Sequence, residues 1–316
     1  MNKTKKEKVN DTLPRLIEDR LMRDDELDFV IGVDEAGRGP LAGPVVAGAC
    51  VYFAPRKSVI SGVKDSKIIN EEDRELLYDI LSKDNQIIWS VGEIDNHRID
   101  EINILQATFE AMTKAVEGVL LQLKNNGKYK FKSKSPKFHV LIDGNKVPPQ
   151  LSHYNCTAVI KGDGKEFIIG AASVFAKVTR DRIMYKIDKE FPQYEFGKHK
   201  GYGTSFHFNT VYKCGPCKYH RFTFAPIKNM DLDKNGKVKK QQKQESVQKT
   251  KKSKKTLKLE QSQMNQTNNR KGLNKSTDKS TDNNDQLSKK RKAAQVQIDV
   301  QSIQKTKGIR RSPRFS

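Results

Sequence analysis

Tryptophan, cysteine, acidic residues and long apolar runs are all scarce in this chain. Its 316 residues hold one Trp, four Cys, and 38 Asp and Glu against 60 Lys and Arg, for a formal net charge of +22. An excess of that size points to a polyanionic partner. Cys50, Cys156, Cys214 and Cys217 come with no secretory leader, because residues 1–7 are polar and lack an apolar segment. A reducing, intracellular setting is therefore expected. No stretch approaches the ~20 apolar residues that a membrane span needs, so no membrane role is expected. Hydrophobic residues make up only 35% of the chain, which is polar for a fully globular protein.

The apolar deficit is uneven. Residues 231–316 hold 24 Lys and Arg against 8 Asp and Glu, a net of +16, which leaves +6 for the first 230 residues and nearly all the aromatics. A body of about 200 residues can build a sizeable core. The remainder, dominated by Lys, Gln, Asn, Ser and Thr without periodicity, cannot, so a disordered basic tail is expected over 231–316. Its clusters Lys251-Lys252, Lys254-Lys255, Lys289-Lys290-Arg291-Lys292 and Arg310-Arg311 suit contact with nucleic acid or recognition by an import receptor. The compartment then depends on the source, cytoplasmic in a bacterium and nuclear in a eukaryote.

Residues 1–27 form a charged N-terminal extension in which Leu13, Leu16, Ile17 and Leu21 suit a short amphipathic helix. Residues 29–33, 45–53 and 87–94 read as strands, with 71–82 helical before the last. Apolar residues recur at three- and four-residue spacing over 99–124 (Ile102, Leu105, Phe109, Met112, Val116, Val119), which predicts one long helix ending at Asn125-Asn126-Gly127. Residues 138–142 form another apolar strand, 157–160 a shorter one, and 168–190 a second long helix. Hairpin-like strands followed by β-α-β crossings imply an α/β fold, with a mixed sheet flanked by helices and a body spanning 28–230.

The chemistry concentrates in Ile31-Gly32-Val33-Asp34-Glu35-Ala36-Gly37-Arg38-Gly39-Pro40. Two adjacent carboxylates stand where an apolar strand stops, ahead of a glycine-rich turn holding one arginine. Carboxylates held together repel unless a cation sits between them, and the glycines leave room for another backbone to come close. Asp143 and Asp163 also follow apolar strands, and acids at strand ends of an open α/β sheet can converge in the crevice beyond its edge. With two Mg²⁺ or Mn²⁺ ions ~4 Å apart, four carboxylates would form the clamp used in phosphodiester cleavage. Oxygen-only ligation favours such hard ions over zinc.

These residues closely resemble the signature of ribonuclease HII, a type 2 ribonuclease H. The resemblance extends to Lys64-Asp65-Ser66-Lys67, Glu101-Ile102-Asn103-Ile104-Leu105-Gln106, Ile142-Asp143-Gly144-Asn145, Lys161-Gly162-Asp163, Ala171-Ala172-Ser173, Lys177-Val178-Thr179-Arg180-Asp181, His199-Lys200-Gly201-Tyr202-Gly203 and His220-Arg221, in this order over about 29–228. It implies a ribonuclease H-like fold with five main strands and a helical C-terminal extension, in a monomeric catalytic body. It also implies an endonuclease that cuts the RNA strand of RNA–DNA hybrids and single ribonucleotides embedded in duplex DNA, leaving 3′-hydroxyl and 5′-phosphate ends. The family's catalytic, metal-holding carboxylates map onto Asp34, Glu35, Asp143 and Asp163. Its ribose-reading turn maps onto Gly37, Arg38 and Gly39, and its sugar-stacking tyrosine onto Tyr202. Only a 2′-hydroxyl separates RNA from DNA locally, which suits a tight turn as reader. An inactive hybrid-binding protein, or the catalytic subunit of a heteromeric ribonuclease H2, is the alternative. Against the first, binding alone does not require a repulsive acid cluster.

Lys67, Lys177 and Arg180 are candidates for phosphate contacts. Asp181, between Arg180 and Arg182, reads as a structural ion pair on a partly solvated face. Cys214-Gly215-Pro216-Cys217 with His220 lacks a full set of zinc ligands and a redox setting. Trp89 reads as core.

Overall fold

Successive side chains of a strand face opposite ways, and the apolar run at Phe29 obeys this. Phe29, Ile31 and Val33 enter one buried cluster and Val30 another, on the two faces of a sheet. The computed structural model describes residues 12–24, 27–53, 59–64, 68–127, 129, 131, 135–233, 238 and 239; Lys67 and the chain beyond 239 lie outside them. The described elements are α1 (Leu16–Asp24), β1 (Phe29–Ala36), β2 (Val45–Tyr52), α2 (Glu71–Lys83), β3 (Ile87–Ile94), α3 (Asn96–Asn125), β4 (Phe138–Asp143), β5 (Cys156–Val159), α4 (Phe167–Glu190), α5 (Phe196–His199) and α6 (Ser205–Cys214). The sheet order is β3-β2-β1-β4-β5. The pairs β1–β2 and β2–β3 are antiparallel, and β1–β4 and β4–β5 are parallel.

Two expectations change. β1 does not stop at Val33. Its parallel register with β4 ends at Val33↔Ile142, but the antiparallel register with β2 continues through Asp34↔Gly48 and Glu35↔Ala47 to Ala36↔Val46. The acids therefore leave one neighbour while the other still fixes their backbone. Nor is α3 one continuous helix. Asn103 has φ 68 and ψ 162, outside the helical region, and its side-chain oxygen accepts from the amides of Leu105 and Gln106. An N-cap thus stands inside the element and restarts it.

α3 covers one face of the sheet and α4 the other. Gly32 allows the close approach of α4, since a Cβ there would lie 2.3 Å from the carbonyl oxygen of Ile168. Trp89 stacks on Phe175 with ring centroids 4.5 Å apart. Full burial of each such Val, Ile or Phe contributes about 1.5–3 kcal/mol. The N-terminal extension is tied to the start of α4. The Phe167 amide donates to Pro14, and the Glu166 carboxylate accepts from the amides of Ile17 and Glu18, capping α1 from outside its own chain segment. Past the sheet, Leu41, Ala42, Met184, Ile187, Tyr194, Phe196 and Val211 build a third cluster beneath α5 and α6. This is the expected helical C-terminal extension. No helix among the described residues is long and apolar enough to cross a membrane.

Candidate active site

Strand alternation places Asp34 on the α4 side and Glu35 on the other. Asp34 is buried and hydrogen-bonded to Ser173 of α4. Asp143 ends the neighbouring strand, and its Oδ1 accepts from the Gly162 amide at 2.6 Å and the Asp163 amide at 3.3 Å. One carboxylate oxygen from each of Asp34, Glu35 and Asp143 lies within 4.8 Å of the others. Burial, then the charges of Glu35 and Asp143, pushes the Asp34 carboxyl well above its usual range, while the Ser173 bond pulls the other way. A divalent cation would relieve that repulsion, and an all-oxygen donor set suits Mg²⁺ or Mn²⁺. Asp163, buried in the 3-10 turn Gly162–Gly164, is joined to Asp143 through its amide; its carboxylate is outside the three-residue group.

The glycine-rich turn adjoins these acids. Gly37 has φ +96, and a Cβ there would lie 2.0 Å from Arg180 Nε. The room beside Gly37 is filled by an arginine side chain. Beside Gly39, a Cβ would meet Tyr202 Cε1 at 3.6 Å, so the turn and the expected stacking tyrosine are neighbours, the latter 46% exposed. The Arg38 side chain is half exposed and pairs with Glu35 at 3.3 Å, a solvent-screened contact worth little by itself.

Arg180 and Lys177 are not placed as free phosphate contacts. Arg180 is 1% exposed. Its guanidinium donates to the carbonyls of Pro44, Lys200 and Ala42 at 3.0, 3.0 and 3.3 Å. A buried guanidinium needs several acceptors at once, and this turn and Lys200 supply them. Lys177 Nζ binds Asp181 at 2.7 Å. Burial lowers its pKa and Asp181 opposes the shift. Asp181 is an ion-pair partner as expected, but it is 3% exposed and its cations are Lys177 and Arg74. Its sequence neighbours diverge around the helix, Arg180 into the turn and Arg182 out to Glu75.

The sequence motifs contained Arg221 and Ser173 without indicating a role, and His207 lay outside them. Arg221 is fully buried and donates to the carbonyls of Gly37, Arg38, Gly43 and Pro44 at 2.6, 3.0, 2.9 and 3.2 Å. Burial, followed by the like charge of Arg180, pushes it down to about 9. Nothing in a linear sequence marks an arginine that faces carbonyls 177 to 184 residues away. Cys217 lies 3.2 Å from His220 Nδ1. Burial pushes its thiol up to about 11, so in the metal-free protein it is a protonated thiol at neutral pH. A surface hollow of about 590 Å³ lies at the far end of β4, among Lys137, His139, His153 and Tyr154. It contains none of the carboxylates, so volume is a poor guide to the chemistry here.

A mixed five-stranded sheet that presents a carboxylate cluster from its neighbouring parallel strands β1 and β4 defines a ribonuclease H-like nuclease. The family model described as Ribonuclease HII matches residues 31–227. Ribonuclease HII of Chlamydia muridarum is 44% identical over 199 residues, covering 63% of this chain and 83% of that protein. The same enzyme of Endomicrobium trichonymphae is 46% identical over 201 residues, covering 64% and 87%. The crystal structure of ribonuclease H2 from Pyrococcus horikoshii is 27% identical, with a TM-score of 0.44 over 64% of this chain and 96% of that one. The chain belongs to the ribonuclease HII family, whose members are divalent-metal-dependent endonucleases acting on RNA–DNA hybrids.

Proposed function

We propose that this chain cuts the RNA strand of RNA–DNA hybrids and single ribonucleotides embedded in duplex DNA, leaving 3′-hydroxyl and 5′-phosphate ends, and so removes ribonucleotides during replication and repair. The observation that carries this reading is the meeting of Asp34, Glu35 and Asp143 beside the Gly37–Arg38–Gly39 turn and Tyr202. Asp34, Glu35, Asp143 and Asp163 would hold two Mg²⁺ or Mn²⁺ ions. When bound, such ions activate the attacking water and neutralise the leaving 3′-oxygen. Asp34 is held by Ser173 and Asp143 by the amides of Gly162 and Asp163, so the carboxylates are oriented before substrate arrives. Gly37, Arg38 and Gly39 read the 2′-hydroxyl, and Tyr202 stacks on the sugar that follows. Lys67 adds a phosphate contact from outside the described residues. The catalytic body over 28–230 acts as a monomer in this reading.

The basic tail tethers nucleic acid without choosing sequence. Its alternative use as an import signal gains no support from relatives that are bacterial, and we place the enzyme in the cytoplasm. The deciding experiment compares a duplex carrying one ribonucleotide with an all-RNA/DNA hybrid, each with and without Mg²⁺. Metal-dependent cleavage of both, with 3′-hydroxyl and 5′-phosphate ends, is expected. Cleavage of the hybrid alone would remove the single-ribonucleotide activity from the proposal.

A further inference from the structure

We infer that His220 and Arg221 are positioning residues that hold the two ribonucleotide-reading elements, the 37–39 turn and Tyr202, in one register. The inference rests on the proposed reading of those elements as substrate contacts. Arg221 acts on the turn. A trans peptide points its carbonyl and the following amide in opposite directions. Drawing the carbonyls of Gly37 and Arg38 inward onto the guanidinium therefore turns the amides of Arg38 and Gly39 outward. Outward amides are donors that a ribose hydroxyl or its phosphate can accept from. The backbone that follows the turn is stitched to residues 219–221 and to Gly201. The Arg221 amide donates to Leu41, the Gly43 amide to Tyr219, and the Leu41 amide to Gly201.

His220 acts on Tyr202 through His207, and the hydrogen bonds settle both tautomers. The Cys217 amide donates to His220 Nδ1 at 2.9 Å, so that nitrogen carries no proton. His220 Nε2–H then donates to His207 Nε2 at 3.0 Å. His207 is left with its proton on Nδ1, which donates to the Tyr202 carbonyl at 2.9 Å. Both rings are fully buried, and burial holds them neutral, at about 3 for His220 and about 4 for His207. The relay runs from Cys217 to the backbone of the exposed tyrosine, and its first ring, His220, is the residue next to Arg221. A shift of the 220–221 dipeptide would move both readers together.

The test uses the full-length chain and a duplex carrying one ribonucleotide, with Mn²⁺ binding followed by electron spin resonance. Arg221→Lys keeps the charge but loses the fork that spans several carbonyls. It is expected to lower kcat/KM by roughly 10- to 100-fold, the effect of a misplacement of about 1 Å, and to reduce the preference for the ribonucleotide duplex over plain DNA in metal-free binding. Mn²⁺ affinity should hold. An unchanged preference, or a loss of Mn²⁺ affinity in step with activity, would overturn the assignment. A double-mutant cycle guards against misfolding. Tyr202→Ala and His207→Leu should each lower kcat/KM, and His207→Leu should add nothing once Tyr202 is gone. Losses that multiply would mean that His207 acts on the fold at large, which refutes the relay and leaves the proposed function standing. If Tyr202→Ala had no effect, the reading of Tyr202 as a substrate contact would fail, and the relay with it.

Discussion

Two adjacent stretches of one backbone, the acid pair Asp34-Glu35 and the turn from Gly37 to Pro44, are held by opposite means. The acids sit where burial and each other's charge raise Asp34, with Ser173 only partly compensating. The turn has its carbonyls drawn onto two fully buried guanidinium groups, Arg180 and Arg221. The first arrangement calls for positive charge from outside, and the second contains its own. A site that must gain and lose metal gathers its carboxylates at a cost in free energy. A turn with the hydroxyl-reading role proposed for it is made rigid beforehand.

The largest break in that contrast is expected from Asp34→Asn. Cleavage should fall by roughly 10³- to 10⁵-fold, while metal-free protein melts a few degrees higher because a buried, repelled carboxylate is gone. Arg221→Gln should do the reverse to stability. Stranding several buried carbonyls costs about 3–5 kcal/mol, measurable as a shift in the urea midpoint at constant slope. Saturating Mg²⁺ or Mn²⁺ comes next. At about 100 times its dissociation constant an ion adds about 2.7 kcal/mol, and calorimetry should show this gain in wild type and in Arg221→Lys but much less of it in Asp34→Asn.

A smaller effect follows from the buried histidines behind the turn. His207 and His220 titrate near 4 and near 3 in the fold, against about 6.5 when unfolded. The unfolded chain therefore binds the extra protons. Their contribution is complete above about pH 6.5 and is lost as pH falls toward 3, on the order of 3 to 5 kcal/mol for each. Glu166, raised to about 7 by burial, works oppositely and adds stability as pH falls from about 7 toward 4.5. The useful quantity is thus the difference between wild type and His207→Leu, which should narrow as the pH drops. The smallest effect is expected from deleting 231–316, which should flatten the salt dependence of nucleic-acid binding without changing the choice of ribonucleotide. An unchanged slope would separate the tail from binding altogether.

Much of the architecture could be read from residue type and spacing. Ile87–Ile94 is the strand expected, and the apolar face of α3 is the one its periodicity marks. The break at Asn103 escaped because Ile102 and Leu105 keep helical spacing across it, and spacing carries no information about φ. The extension of β1 to Ala36 escaped because acids are poor indicators of a strand. Only β2 alongside, with Gly48 and Ala47 opposite, keeps them in one. Three of the four expected carboxylates, Asp34, Glu35 and Asp143, do meet.

Residue types and their order set which chemistry was available. It supplied acids after apolar strands, glycines where the turn needs a positive φ, a charge excess suited to a polyanion, and motifs specific enough to indicate a family. Tertiary structure alone decided what each cation does. Arg38, Arg180 and Arg221 look alike in a string of letters, yet the first faces solvent beside Glu35 and the other two are walled in by carbonyls. The physical reason is that a guanidinium's role follows from its acceptors and from the water left around it. Both are set by chain segments far away in sequence.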